Sequence, residues 1–294
     1  MSGTLAHVGP NLPQDLLRAT GRHAGVLPFD PDAPTPRADE WLESKFAPWS
    51  RCILQNWADG RYDELEQVLF SRADDSAQRL YYYVCELQRR GLLAGPQPLI
   101  LDIAKIPRAS SARRTVDAVR ALAARLGVVA DDLARSIALC DRDRVRLARS
   151  PAGRVCLLAG SPPPDRRLHD AITAAGFAAR GPTLADAWSE LGPTVGDADD
   201  PFASIGRQLH ALARGPRAFV DAGAALEREV IDASARAVVL WQIEEDDALA
   251  WHLPAQRAAL ARVGVPALVL TRRDWLARDR ASEEIGAFLQ GIER

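Results

Sequence analysis

The sequence predicts an α/β protein of two Rossmann-like lobes, each a mostly parallel sheet flanked by helices, with a cleft between the lobes. Three observations carry that prediction. Short apolar runs rich in β-formers recur along the 294 residues. Runs without polar alternation are the mark of strands buried on both faces. Longer segments with apolar residues at helical spacing separate them, and that rhythm is the pattern of strand–helix–strand units.

The elements follow in order. The chain before about Pro13 reads as extended or loose. Gly25–Phe29 is the first apolar run, and the Pro/Asp-rich stretch Phe29–Arg37 after it reads as loose. A helix carrying Cys52 leads to a short strand, Gln67–Phe70, which ends in a polar turn, Ser71–Ser76. A helix over Ser76–Arg90 follows, with Leu80, Tyr83, Val84 and Leu87 at helical spacing. Tyr81, Tyr82 and Tyr83 are successive on it, so their rings point in different directions and read as core and subunit interface. Pro98–Ile103 is the next strand, and Ser111–Leu126 the next helix, on Val116, Val119, Leu122 and Leu126.

A long helix, Asp131–Arg149, stops at a Pro/Gly break. A domain join is expected around Ala148–Arg154, giving lobes of residues 1–150 and 151–294. The second opens with the strand Arg154–Leu158 and continues through Ala237–Ile243 and Ala267–Thr271. Helices are expected at Arg166–Ala175, Phe202–Ala213, Ala224–Ala233, Leu253–Val263 and Ser282–Ile292, and a polar surface loop at Gly192–Asp200.

Composition narrows the function classes. Apolar residues make up 47% and charged residues 26% of the chain, ordinary for a globular protein with a sizeable core. The net charge of −2 supplies no field that calls for nucleic acid or an anionic membrane. No apolar run reaches the ~18 residues of a membrane span, and the N-terminus does not read as a signal peptide. The four cysteines, Cys52, Cys85, Cys140 and Cys156, are widely spaced with no CxxC. They read as free thiols of a cytoplasmic protein, the last three as core, with no locally encoded zinc or ferredoxin-type site. GxGxxG, Walker A, HExxH and GxSxG are all missing, and His7, His23, His169, His210 and His252 show no metal-ligand pattern.

Three strand-end segments can carry chemistry, because doubly wound sheets bind ligands beyond the carboxyl ends of their strands. They are the turn Ser71–Ser76, the loop Gly160–Pro164, and Glu244–Asp247. Each also has a structural explanation. Asp74, Asp75 and Ser76 open a helix, where acidic and hydroxyl residues cap free N–H groups. Glu244–Asp247 precedes the helix around Ala250 and reads as a solvated acidic cap. Gly160, Ser161 and Pro162 make a strand-to-helix turn or face a substrate. Cys52 has apolar neighbours and reads as a buried thiol or a ligand.

Taken together these segments resemble the 2-hydroxyacyl-CoA dehydratase and benzoyl-CoA reductase family. FAPWSRC is similar to the family's first cluster-ligand helix, and YDELEQVLFSRADDSAQRLYYYVCEL to its second-ligand strand, turn and helix. RVCLLAGSPPPDRRLHDAITAAGF resembles the opening of its second domain, with a Gly-Ser-Pro loop over the active site. AVVLWQIEEDDALAWHLPAQRAALARVGVPALVLTRRDW is similar to its last ligand strand and helix. The likeness runs roughly from Leu16 to the C-terminus, over a chain shorter than is usual in the family.

In that family three cysteines hold a [4Fe-4S] cluster used for radical dehydration or ring reduction with an ATP-driven electron donor. Here Cys52 stands at the first position, Asp74 at the second and Glu244 at the third. A set with two carboxylates is too hard for such a cluster. The resemblance therefore implies a cluster-deficient subunit, with no cofactor of its own, that shapes an acyl-CoA pocket beside a cluster-bearing paralogous partner. A residual cluster or another metal on Cys52 is the variant of that expectation. Asp74, Ser76 and Glu244 are its catalytic candidates; Gly160, Ser161, Arg72 and Arg79 are its substrate-binding candidates, the arginines for CoA phosphates. Two alternatives stay open: a non-redox acyl-CoA enzyme using Cys52, Asp74 and Glu244 as acid–base groups or a single-metal site, and a non-catalytic binding or scaffold protein.

Overall fold

The computed structural model describes residues 4–147, 153–196, 199–212 and 219–292. It divides into two compact units, Met1–Arg149 with Trp188–Phe219, and Ser150–Ala187 with Val220–Arg294. The stretch expected to hold the join, Ala148–Arg154, lies mostly outside the described residues, as does part of the Gly192–Asp200 loop. The expected lobe of residues 151–294 is not continuous, because Trp188–Phe219 belongs to the first unit. Each unit is α/β, with a four-stranded, all-parallel sheet flanked by helices.

The first unit opens with β1 (Thr4–Val8), α1 (Gln14–Ala19), β2 (His23–Val26), α2 (Pro36–Trp41) and α3 (Pro48–Ala58). It continues through β3 (Leu65–Ser71), α4 (Asp75–Arg89), β4 (Gln97–Leu101), α5 (Ala109–Leu126) and α6 (Ala130–Leu147). The strand order is β2-β1-β3-β4. The segment before Pro13, expected to be loose, instead forms β1, an inner strand paired with β2 and β3. Its signal in the sequence is weak because His7 interrupts a run of only five residues. In the fold that imidazole is fully buried and hydrogen-bonded, so a polar residue sits in the sheet without an unmet partner. β2 lies slightly earlier than the apolar run Gly25–Phe29, ending before Pro28, whose ring has no N–H for a ladder.

One face of this sheet presents Leu5, Leu69, Leu99 and Leu101 to Leu16 of α1, Val119 and Leu122 of α5, and Ile137 of α6. The returning chain supplies the last member of that layer, α9 (Pro201–Ala211), which brings Ile205 and Leu209 into the same core. α9 approaches α5 so closely that a Cβ on Gly206 would lie 2.6 Å from the Val116 Cα. On α4 the three tyrosines separate as expected. Tyr83 packs edge-on to Phe46, Tyr81 lies near Phe70, and Tyr82 is exposed.

The second unit runs β5 (Val155–Gly160), α7 (Arg167–Ala174), β6 (Ala178–Arg180) and α8 (Leu184–Trp188), where the chain crosses back to the first unit. It resumes with α10 (Ala222–Asp232), β7 (Ala237–Ile243), α11 (Asp247–Ala250), α12 (Leu253–Val263), β8 (Ala267–Arg273) and α13 (Ala281–Gln290). Its strand order is β6-β5-β7-β8, the same pattern as in the first unit. All seven residues of β7 are buried, as its unbroken apolar run requires of an inner strand covered on both faces. β6 has no counterpart in the expected strands. It is a half-buried three-residue edge strand, too short to leave a periodic signal.

Candidate functional site

In this strand order the chain leaves adjacent inner strands in opposite directions. β5 connects to β6 and β7 to β8, so the gap between the carboxyl ends of β5 and β7 is a topological switch point. Gly160 ends β5 with φ +102°, and a Cβ there would lie 2.1 Å from the Trp241 carbonyl oxygen. Only glycine admits that backbone and that contact. The next N–H, of Ser161, donates to the same carbonyl at 2.8 Å. Ser161 is buried, and its hydroxyl links the two loops. It donates to Asp246 Oδ2 at 2.5 Å and accepts from the Ile243 N–H at 3.2 Å.

Burial raises the Asp246 carboxyl above the usual carboxylate range and the neighbouring Asp247 charge adds to this, while the Ser161 bond opposes it. Glu245 is raised as well, first by burial and then by its acidic neighbours. The loop after β7 thus sets one raised carboxyl, that of Asp246, against a buried hydroxyl. Such a group can donate a proton to a developing oxyanion or take one from an acidic carbon. Glu244, the residue chosen from the sequence, is exposed. Its N–H donates to Arg273 O, and its carboxylate pairs with Arg272 at 3.1 Å.

In the first unit the corresponding switch point lies between β1 and β3. The turn after β3 is organised by its own hydrogen bonds. Ser71 Oγ accepts from Ala73 N–H, and Asp74 caps α4 by accepting from Ala77 N–H at 2.8 Å. Ser76 Oγ accepts from Ala47 N–H at 3.3 Å, tying the turn to the residue before α3. Arg72 pairs with Asp102 at 2.8 Å, and Arg79 reaches Glu43 at 3.5 Å with its guanidinium 4.2 Å from the centre of the Phe46 ring.

Cys52 lies buried on α3. Burial first, and then the carboxylates of Asp30, Asp39 and Asp32, push its thiol up to about 11. Without a bound metal ion it is therefore protonated at neutral pH. Among the described residues no group of three or more His, Cys, Asp or Glu side chains could hold a metal ion. Cys140 and Cys156 are buried and Cys85 is half-buried, all with free thiols.

Two polar groups escaped the sequence reading. His7 and His23 lie sixteen residues apart and meet across β1 and β2, with Nδ1 of His7 2.9 Å from Nε2 of His23. The Trp188 carbonyl lies 3.2 Å and the Gln14 amide nitrogen 3.4 Å from His7 Nε2, so the ring has polar partners on both nitrogens. Burial first lowers both imidazoles to about 4. Lys105, just beyond β4, donates to the Leu209 and Leu212 carbonyls at 2.8 and 2.6 Å, and burial lowers its ammonium to about 8. Parallel pairing of distant strands creates the first contact and the return of α9 the second. Neither leaves a local motif. No protein-family model matches this chain, and no curated protein matches it at a significant level.

Proposed function

We propose that the chain is a cluster-deficient subunit of a 2-hydroxyacyl-CoA dehydratase or benzoyl-CoA reductase-like assembly. It shapes an acyl-CoA pocket and supports a paralogous partner that carries the [4Fe-4S] cluster. The observation that carries this reading is the condition of the three positions the family resemblance marks. Cys52 is a buried neutral thiol, Asp74 is a helix cap, and Glu244 is a surface ion pair. These residues do not fit a [4Fe-4S] cluster, which needs soft thiolates. Within the second unit the Gly160–Ser161 turn packs on the β7 backbone, the strand-end arrangement a bound substrate would need.

The test is iron and acid-labile sulfide in anaerobically purified protein, alone and co-expressed with a paralogue carrying all three cysteines. We expect no stoichiometric iron in the chain alone and about four irons in a co-purifying complex. About four irons and matching sulfide in the chain alone would overturn the reading.

One pair favours a second reading, non-redox acid–base chemistry on an acyl thioester. Buried Ser161 and half-buried Asp246, whose carboxyl is raised by burial, form a hydrogen-bonded couple at the strand-end position where such a substrate would bind. It shifts the acid–base role from Glu244 to Asp246. On this reading turnover of acyl-CoA proceeds in air without ATP. Asp246→Asn then lowers kcat by roughly 100-fold or more and removes one limb of its pH profile, while Glu244→Gln leaves both unchanged.

A further inference from the structure

Among the described residues the first sheet stops at β4, one strand short of the 2-1-3-4-5 order of a common doubly wound fold. The Leu101 carbonyl accepts from Arg72 N–H, so Leu101 faces β3. In a parallel ladder the backbone groups of alternate residues point to opposite sides. Pro98 and Ile100 therefore face the free edge, together with the N–H of Asp102. Pro98 gives up no bond to β3 by lacking an N–H. What remains outward is the Ile100 N–H and carbonyl, the Pro98 carbonyl and the Asp102 N–H, enough to pair a short strand.

A groove of about 630 Å³ runs along this edge between β4 and α5. Arg113, Arg114 and Arg125 line it from exposed positions on α5, with Ala118 and Ala121 between them. Among the described residues Arg113 and Arg125 make no ion pair. The two acidic residues lining the groove are already engaged, Asp102 with Arg72 and Arg114, and Asp117 with Arg120. On the α4 flank Tyr82 is 55% exposed, and Tyr81 is within electrostatic reach of Arg125. Unpaired backbone, arginine and exposed tyrosine are the features of a recognition surface. We infer that the free edge of β4 takes up an extended, acidic segment of a partner polypeptide. The segment adds as a fifth strand and sets its carboxylates against Arg113 and Arg125. This inference rests on the edge itself and stands whether or not the proposed function holds.

The test uses the full chain and two fluorescent heptapeptides, one alternating Glu with Val and one alternating Lys with Val, read by anisotropy. We expect saturable binding of the acidic peptide and none of the basic one. Arg113→Glu with Arg125→Glu should weaken binding at least about tenfold, the scale of losing charge-assisted bonds. Ile100→Pro, which removes an outward N–H and no β3 bond, should weaken it similarly, with circular dichroism confirming that each variant is folded. Hydrogen exchange at Ile100 should slow in the bound state. Absence of binding up to about 1 mM, the weak end of recognition, overturns the inference. So does binding that both sets of variants leave unchanged. Concentration-dependent dimerisation abolished by Ile100→Pro would assign the edge to a second copy of this chain and overturn the acidic occupant.

Discussion

His7 shows how a titratable side chain serves the centre of a sheet. Its Nε2 meets the Trp188 carbonyl and its Nδ1 meets His23, so the ring is held on both sides inside the sheet. Burial and the facing imidazole lower its pKa to about 4, and burial with the nearby Arg18 charge does the same for His23. The sign of the stability effect follows. In the unfolded chain both imidazoles take up protons near the ordinary 6.5, in the folded chain only near 4. Their contribution is complete above about pH 6.5 and erodes as pH falls, until it is gone below about 4. Thermal unfolding between pH 7.5 and 4.5 should show this as a steep loss of Tm. His23→Gln keeps a polar partner for His7 and removes one titration, so its Tm should fall less steeply over the same range.

At the scale of the element, the turn after β3 is where the functional and structural explanations of acidic residues separate. Asp74 is the N-cap of the fifteen-residue helix α4, and its carboxylate meets a free N–H of the first turn. Asp74→Ala should cost about 1 kcal/mol in urea unfolding, and Asp74→Asn only a few tenths. If both substitutions leave stability unchanged, the cap is idle and the carboxylate is kept for a ligand. The strands differ in how legible they are. β7 reads directly from its apolar run because it is covered on both faces. β1 and β6 do not, one because a buried histidine breaks its pattern, the other because three half-buried residues make none.

For the whole molecule, the decisive feature is the return of Trp188–Phe219 to the first unit. Polar groups far apart in the chain hold this segment. The guanidinium of Arg144 is almost fully buried, pairs with Asp15 at 2.6 Å and donates to the Leu191 carbonyl at 2.7 Å. Asp141 accepts from the N–H groups of Val195 and Gly196, and Trp188 packs edge-on against Trp49. Arg144→Ala would leave the Asp15 carboxylate buried without its cation, a loss of about 3–5 kcal/mol. Chemical denaturation should register that loss, and limited proteolysis should find the 188–196 segment newly cleavable. Arg144→Lys should recover only part of the stability, because an ammonium cannot form the same planar fork.

Local sequence pattern was enough to read the α/β class, most helices and the longer strands. It also picked out the strand-end positions of Asp74, Gly160, Ser161 and Glu244. Those features depend on local rules: apolar periodicity, caps, and glycine where the backbone leaves a strand. Tertiary structure alone decided the inner place of β1, the crossing of Trp188–Phe219 into the first unit, and the pairings of His7 with His23 and of Ser161 with Asp246. Each joins residues distant in the chain, and its stability comes from burial and hydrogen bonds that exist only once the strands are side by side. The same cause separates Asp246 from Glu244 two residues earlier. Both are carboxylic side chains of one short loop, yet one is raised by burial against Ser161 and the other is exposed beside Arg272.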